Sequence, residues 1–365
     1  MTERRDRLED LSASLSTRAI VGVLLALAAT WVVIGVVYPD SWLGVLLSVV
    51  ISPSTHTATL RLAVPIALAA IGGIFAEKSG VINIGIEGLL IVSAFGGILV
   101  THWLGSGEST AFVSNHWWGL LAGVLVSTAF ALVFAIVCIE FKADQIIAGL
   151  AVWLIALGLA PFVSRIVFNS PNSARVGTFD KVTVPLLAEI PIVGYLLFDT
   201  PPQVWIMLLA AAAGWYLLTQ TRFGRWVVAS GENPKALDTA GVDVRKVRYA
   251  AVLLSGVFAG LGGAGFALGQ LGTFAGGGET DIGGRGFIAI ATYLFANYNP
   301  IGALAGSFLF AGLDALQIRL QAAGYAVPTE LIRTIPYATV IVVLVFVGRT
   351  RLPEAAGENY ESGED

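Results

Sequence analysis

FAEKSGVINIGIEGLLIVSAFGG, residues 75–97, sets Glu77, Lys78, Asn83 and Glu87 between two strongly apolar segments. The whole chain has a mean hydropathy of +0.79. A charge facing lipid in such surroundings costs several kcal/mol, so these groups are expected at an aqueous interface, in a pairing or lining a cavity. Gly80, Gly85 and Gly88 add backbone freedom, the pattern of a broken helix or re-entrant turn from which lipid is excluded. The apolar runs on either side are too long and too many for a soluble core. The stretch therefore predicts an all-α, polytopic membrane protein with a polar element built into its fold.

Composition agrees. The chain has 365 residues, 56% hydrophobic and 13% charged, and that charged share is about half that of a soluble domain. Apolar windows of about 20 residues recur from end to end. Hydropathy predicts ten transmembrane helices near residues 18–38, 59–76, 88–101, 117–139, 145–166, 203–220, 249–271, 286–298, 300–320 and 331–348. Residues 42–51 are also apolar but too short to cross; they suit the interface or half of a broken helix. The residues before the first span are charged on both signs, and no A-x-A site follows that span, so it reads as retained rather than cleaved. Three parts result: a cytoplasmic N-terminal segment (1–17), a transmembrane domain (18–348) and an acidic cytoplasmic tail (349–365). The tail carries Glu354, Glu358, Glu361, Glu364 and Asp365 and reads as solvated and disordered.

Basic residues beside the spans set the orientation. Arg4, Arg5, Arg7 and Arg18 flank the first span, and the loop 221–248 holds Arg222, Arg225, Lys235, Arg245, Lys246 and Arg248. Arg349 and Arg351 follow the last span. Ten spans place all three groups, and Lys142, in the cytoplasm. Both termini of this multi-pass protein of the plasma membrane are then cytoplasmic. Arg165, Arg175 and Lys181 fall outside, against the rule, but in a long loop where it has little force.

Several features carry no chemistry. Gly260, Gly262 and Gly265 match GxGxxG, yet no strand precedes them and they lie inside an apolar span, so they predict close helix packing. Cys138 excludes a disulfide scaffold, being the single cysteine, and suits small core filler. His56, His102 and His116 are scattered, with no HExxH pair. No metal site, catalytic residue, cofactor or nucleic-acid partner is expected. No lysine follows a glycine anywhere, so a Walker A loop is excluded. Energy for uphill transport must come from an ion gradient or from another polypeptide.

Three constellations remain. Asn83 and Glu87, four apart, either cap the broken element by taking its free backbone groups or border a transport path. In the loop 221–248, Asn233–Pro234 suits a helix start, Lys235 to Ala240 a short amphipathic helix and Gly241 its stop, a form that can dock a partner. It also suits an ordinary solvated loop. Gly276 to Gly278 and Gly283-Gly284-Arg285-Gly286 precede an apolar run as Gly80, Gly85 and Gly88 do, an echo that suggests a two-repeat architecture. Asp314 and Gln317, within a span, suit helix–helix hydrogen bonding.

Glu77-Lys78-Ser79-Gly80-Val81-Ile82-Asn83-Ile84-Gly85-Ile86-Glu87-Gly88 resembles the signature of permease subunits of ABC importers, in the group for nucleosides and simple sugars that is related to branched-chain amino acid permeases. Gly231-Glu232-Asn233-Pro234, with Ala236, Ala240 and Gly241, is similar to that group's ATPase coupling loop. Gly284-Arg285-Gly286-Phe287-Ile288-Ala289-Ile290-Ala291, then Asn299-Pro300 and Gly302-Ala303, resembles its late membrane motif. Asp314-Ala315-Leu316-Gln317 and Leu268-Gly269-Gln270-Leu271-Gly272 are closest to the nucleoside branch. One departure lies in residues 292–298, where a small residue, usually Gly, is expected at Ala296 or Asn297.

The resemblance implies a membrane-spanning permease subunit of an ATP-driven importer. It would pair with a second permease and with two ABC ATPase subunits that hydrolyse the ATP, and receive substrate from an extracytoplasmic binding protein. The chain itself would be no enzyme. Phe75, Asn83, Glu87, Gln270 and Phe287 are the candidates for the substrate path, since a flat base suits aromatic stacking with an amide partner. The competing expectation is a gradient-driven secondary transporter of a small polar solute, which needs a functional intramembrane carboxylate, Glu87 or Asp314.

Overall fold

A computed structural model describes residue 22 and residues 26–277, 280–322 and 351–361. The tenth expected span, 331–348, and most of the chain before residue 26 lie outside the described residues. The chain divides into two units, residues 1–56 with 316–327 and residues 57–315 with 328–365.

In the first unit, α1 (Ala26–Val37) and α2 (Trp42–Val50) form a pair bent by 105°. Ser41 makes the corner: its hydroxyl accepts from Gly44 N at 3.1 Å and starts α2. Residues 42–51 are thus the second arm of a broken helix.

The main chain then runs through α3 (Pro53–Lys78) and α4 (Ile86–Leu104), a hairpin of β1 (Ser109–Thr110) and β2 (Val113–Ser114), and α5 (Asn115–Ala135), which widens into a π-helical turn ending at Glu140. Next come α6 (Gln145–Phe168), β3 (Val182–Thr183), α7 (Pro185–Ala188), β4 (Asp199–Thr200) and α8 (Pro202–Gln220). Two shorter helices, α9 (Arg222–Glu232) and α10 (Pro234–Thr239), lead to α11 (Val244–Phe266), which ends in a π-helical turn over Ala267–Leu271. The last elements are α12 (Arg285–Phe295) and α13 (Pro300–Ala322).

Among the described residues seven helices are long and apolar enough to cross a membrane: α3, α4, α5 with its π turn, α6, α8, α11 with its π turn, and α13. Burial separates them. The apolar windows of α3, α4 and α11 are 83%, 78% and 78% buried, whereas those of α5, α6 and α13 are 33%, 28% and 28%. The first three are the centre and the others turn their apolar sides outward.

Glycine lets the central helices meet backbone to backbone. A Cβ at Gly123 of α5 would lie 2.6 Å from the Ser93 carbonyl oxygen of α4, and one at Gly260 of α11 would lie 2.6 Å from Val124 Cα. Gly262 faces Leu90 and Gly265 faces Val64, so the GxGxxG match is a packing stripe. With lipid as apolar as the core, this close van der Waals fit is what drives helix association.

One expected span is half a span. Residues 286–298 hold α12, only 11 residues long. Gly283 and Gly284, at φ of 58° and 82°, prevent an earlier helical start, and Asn297 and Tyr298, at 49° and 59°, end the chain direction below it. That end is where the resemblance expects a glycine, and the left-handed backbone is the physical reason for that preference.

Candidate functional site

The 79–85 turn is the first part of the site. Gly80 sits at φ 93°, and a Cβ there would meet Arg248 Nη2 at 2.9 Å and Ala355 O at 3.1 Å. Ile82 N donates to Gln145 Oε1 at 2.7 Å, holding the turn against the start of α6. Asn83 is 2% exposed and donates through Nδ2 to Ser255 Oγ of α11 at 3.3 Å. It precedes α4 rather than lying on it, so Asn83 and Glu87 do not share a helical face.

Glu87 is 3% exposed, and its carboxylate accepts from Gly284 N at 2.8 Å through Oε1 and from Gly286 N at 2.6 Å through Oε2. It caps α12, a helix nearly two hundred residues away, rather than its own. Two backbone donors that would otherwise be orphaned at a buried helix start are thereby met, with negative charge at the positive end of the helix. A Cβ at Gly286 would fall 2.6 Å from Glu87 Cα, so only glycine allows this approach. The two Gly-rich breaks that echo one another in sequence touch here.

The chain entering α12 is not helical, and its backbone is met by side chains. Phe274 N donates to Ser173 Oγ at 2.9 Å, Ala275 N to Asp281 Oδ2 at 2.7 Å, and Gly276 N and Gly277 N to Asn172 Oδ1 at 3.1 and 3.2 Å. Irregular backbone among membrane-grade helices persists only with such partners. Arg285 gathers the break: Nη1 donates to the carbonyls of Asp281 and Ile282 at 3.0 and 2.9 Å, and Nη2 to Asp314 Oδ2 of α13 at 3.3 Å. Its guanidinium lies 4.8 Å from the Phe266 ring centroid. Asp314 thus bonds to Arg285 rather than standing alone.

The remaining path candidates sit in two environments. Phe75 is fully buried and stacks between Phe223 and Phe258, with centroids 6.4 and 5.9 Å away. Gln270 is half-buried in the π-helical turn that closes α11, and Phe287 is half-buried, edge-on to Trp153 at 5.2 Å. The structure brings Glu87 beside Gly286, next to Phe287, but does not gather all five residues at one point.

The loop 221–248 follows local rules. Thr221 Oγ1 accepts from Gly224 N at 3.1 Å and starts α9, a helix that sequence reasoning missed. Asn233 Oδ1 accepts from Ala236 N at 2.9 Å, with Pro234 at the first helical position of α10. Gly241, at φ 80°, stops it. Asp243 Oδ1 accepts from Lys246 N at 3.1 Å and starts α11; these bonds to Lys246 hold the Asp243 carboxyl below its usual range. Leu237 is buried, whereas Glu232, Asn233, Lys235, Ala236, Thr239, Ala240 and Gly241 are exposed. A Cβ at Gly231 would run into the Lys78 carbonyl, and Ser230 Oγ donates to Ser79 O at 2.9 Å. The end of α9 therefore rests directly on the turn that leads to Glu87. Lys78 Nζ in turn lies 5.3 Å over the ring of Tyr298, at the far end of α12.

A helical membrane bundle with a half-helix capped from a neighbouring span, and a short exposed helix clipped to the same turn, is an architecture that suits a transport protein. The comparisons make the class specific. The family profile described as "Branched-chain amino acid transport system / permease component" matches residues 56–344, and the chain belongs to that family. It is 36% identical over 312 residues to the guanosine ABC transporter permease protein NupQ of Bacillus subtilis, covering 84% of this chain and 96% of that one. Identity to the nucleoside ABC transporter permease protein NupC of Lactococcus lactis is 33% over 306 residues, 81% of this chain and 93% of the relative. A putative glucose ABC transporter permease of Haloferax volcanii is 32% identical over 336 residues, 84% and 97% of the two chains. No solved structure matches. The chain is a multi-pass permease component of an ABC transporter.

Proposed function

We propose that this permease forms, with a second permease subunit, the translocation path of an ATP-driven importer for a nucleoside-like or simple-sugar substrate. Two ABC ATPases would bind the exposed face of Asn233 to Gly241 on the cytoplasmic side of the plasma membrane, and a binding protein would deliver substrate to the other. One observation carries the reading: α9 packs through Gly231 and Ser230 on the 78–80 turn, seven residues before the carboxylate that holds α12. Movement of the docking loop would reach the half-helix through a few packed residues. Rocking of α12 would open and close the path, with Phe287 and Gln270 as its half-buried contacts, Asn83 and Glu87 as its frame and Phe75 as a packed wall. The nucleoside and sugar relatives support the substrate class. Glu87 spends both oxygens on backbone donors and Asp314 bonds Arg285, which disfavours either as the coupling carboxylate of a gradient-driven carrier.

Uptake of labelled guanosine by cells carrying the permease with its ATPase is the test, with competition by purine nucleosides, ribose and branched-chain amino acids. Ala240→Arg, on an exposed face, is expected to abolish ATPase co-purification and uptake while leaving the amount of folded permease unchanged. Association and uptake that survive this change would refute the docking assignment.

A further inference from the structure

Residues 351–361, expected to be a solvated tail, are fastened to six separate parts of the chain, the first through Arg351 N, which donates to Asn297 Oδ1 at 3.3 Å just past α12. Ala355 N donates to Gly231 O at 2.8 Å at the end of α9, and Gly357 N donates to Gly80 O at 3.0 Å in the turn after α3. Arg248 of α11, only 4% exposed, donates through Nη1 to Glu358 O at 2.7 Å. The Tyr360 hydroxyl donates to Asp238 Oδ2 of α10 at 2.8 Å. Asn359 Nδ2 donates to Lys142 O at 3.3 Å between α5 and α6, where Lys142 also pairs with Glu361. Within the strap Pro353 and Ala355 are buried, and Gly357 turns it at φ 82°.

The loop being clasped needs such a support. A six-residue helix is far below the length at which a helix holds its own shape in water. The fixed points of α10 include its Asn233 cap, the buried Leu237 and the Tyr360–Asp238 bond. A push on α10 reaches the 79–85 turn through the end of α9, where Ser230 bonds Ser79 O. The strap adds a second connection, bonding both Gly80 and Gly231 within three residues of itself, and leaves a cleft of about 550 Å³ against Glu232 to Lys235.

We propose that residues 351–361 are a clasp that positions the α9–α10 loop for its ATPase and makes this end of the permease move as one piece. Tyr360, Gly357 and Arg248 are its positioning residues. The proposal rests on the docking reading of that loop. It adds that the loop docks productively only when clasped.

The test uses the full permease co-expressed with its ATPase subunits and reconstituted in lipid discs, reading ATPase co-purification, ATP hydrolysis by the complex and the thermal midpoint of the permease. Tyr360→Phe removes one hydrogen bond and is expected to weaken ATPase retention about fivefold. Gly357→Val, strained at this φ and 3.2 Å from Ile82 Cδ1, should lift the strap and reduce retention and hydrolysis at least as much, as should deletion of residues 353–365. The thermal midpoint should stay unchanged for Tyr360→Phe. Retention and hydrolysis at the parent level in all three variants would overturn the clasp. So would losses that merely track a falling thermal midpoint, since the strap would then serve the fold alone. Ala240→Arg run alongside separates the two readings: if it blocks association while the strap variants do not, docking stands and the clasp falls. If none of them affects association, the docking reading itself has failed.

Discussion

Glu87 is the residue on which the break depends. Its two oxygens meet Gly284 N and Gly286 N, and the residue is only 3% exposed. Glu87→Ala strands both donors, at about 1–3 kcal/mol each for a buried unmet group. Glu87→Gln keeps one acceptor and turns an amide N–H₂ toward the other donor, so it is expected to cost about half as much. Thermal unfolding of the purified permease should order the three as parent, Gln, Ala, with uptake falling in step. If Glu87→Gln instead abolished uptake at parent stability, the carboxylate would be acting on substrate rather than holding α12. The sequence shows that a charge at 87 needs a partner, because an unmet one among apolar residues is so costly. The identity of the partner, backbone groups at 284 and 286, belongs to tertiary packing and leaves no local trace.

At the scale of elements, legibility follows how local the cause is. Asn233, Pro234 and Gly241 announce α10 because cap, first turn and stop are decided by neighbours within a few residues. The true length of α12 was not legible, since left-handed Asn297 and Tyr298 give no composition signal of their own. The strap at 351–361 read as disordered because backbone groups rather than large apolar side chains hold much of it. The start of α11 offers a pH test of the same loop. Asp243 accepts from Lys246 N and pairs with its ammonium, which lowers its pKa. A depressed carboxylate contributes stability that is present above its unfolded value, about 3.9, and is lost as pH falls through the folded one. The group is exposed, so the contribution is at most about 0.5 kcal/mol. Acidification from pH 5 to pH 3 should therefore modestly speed proteolytic cutting between residues 239 and 246, and Asp243→Asn should remove that step from the profile. A profile unchanged by the substitution would show that the cap does not set the loop's order.

For the molecule as a whole, alternation of helices predicts which groups share an end, and the contacts agree. Lys78, Lys142, Arg245 and the strap are joined at one end, through Gly80, Gly231 and the Arg245–Glu140 ion pair. The β1–β2 hairpin and the segment 172–179, bonded along 268–277, lie at the other. We propose that the first end is cytoplasmic, because six basic residues lie in the loop 221–248, while Arg175 and Lys181 oppose that bias from a longer loop. That orientation is indispensable to the proposed mechanism, because ATP is on the cytoplasmic side. The single native cysteine, Cys138, is 1% exposed and should stay silent to a membrane-impermeant maleimide. Ser106→Cys in the turn between α4 and β1 and Ala240→Cys at the end of α10 are both at exposed positions. In intact cells the reagent should label position 106 and spare 240, and permeabilisation should expose 240. The inverse pattern would put the docking face on the wrong side of the membrane for any ATPase, and with it would go the whole account of how energy enters the permease.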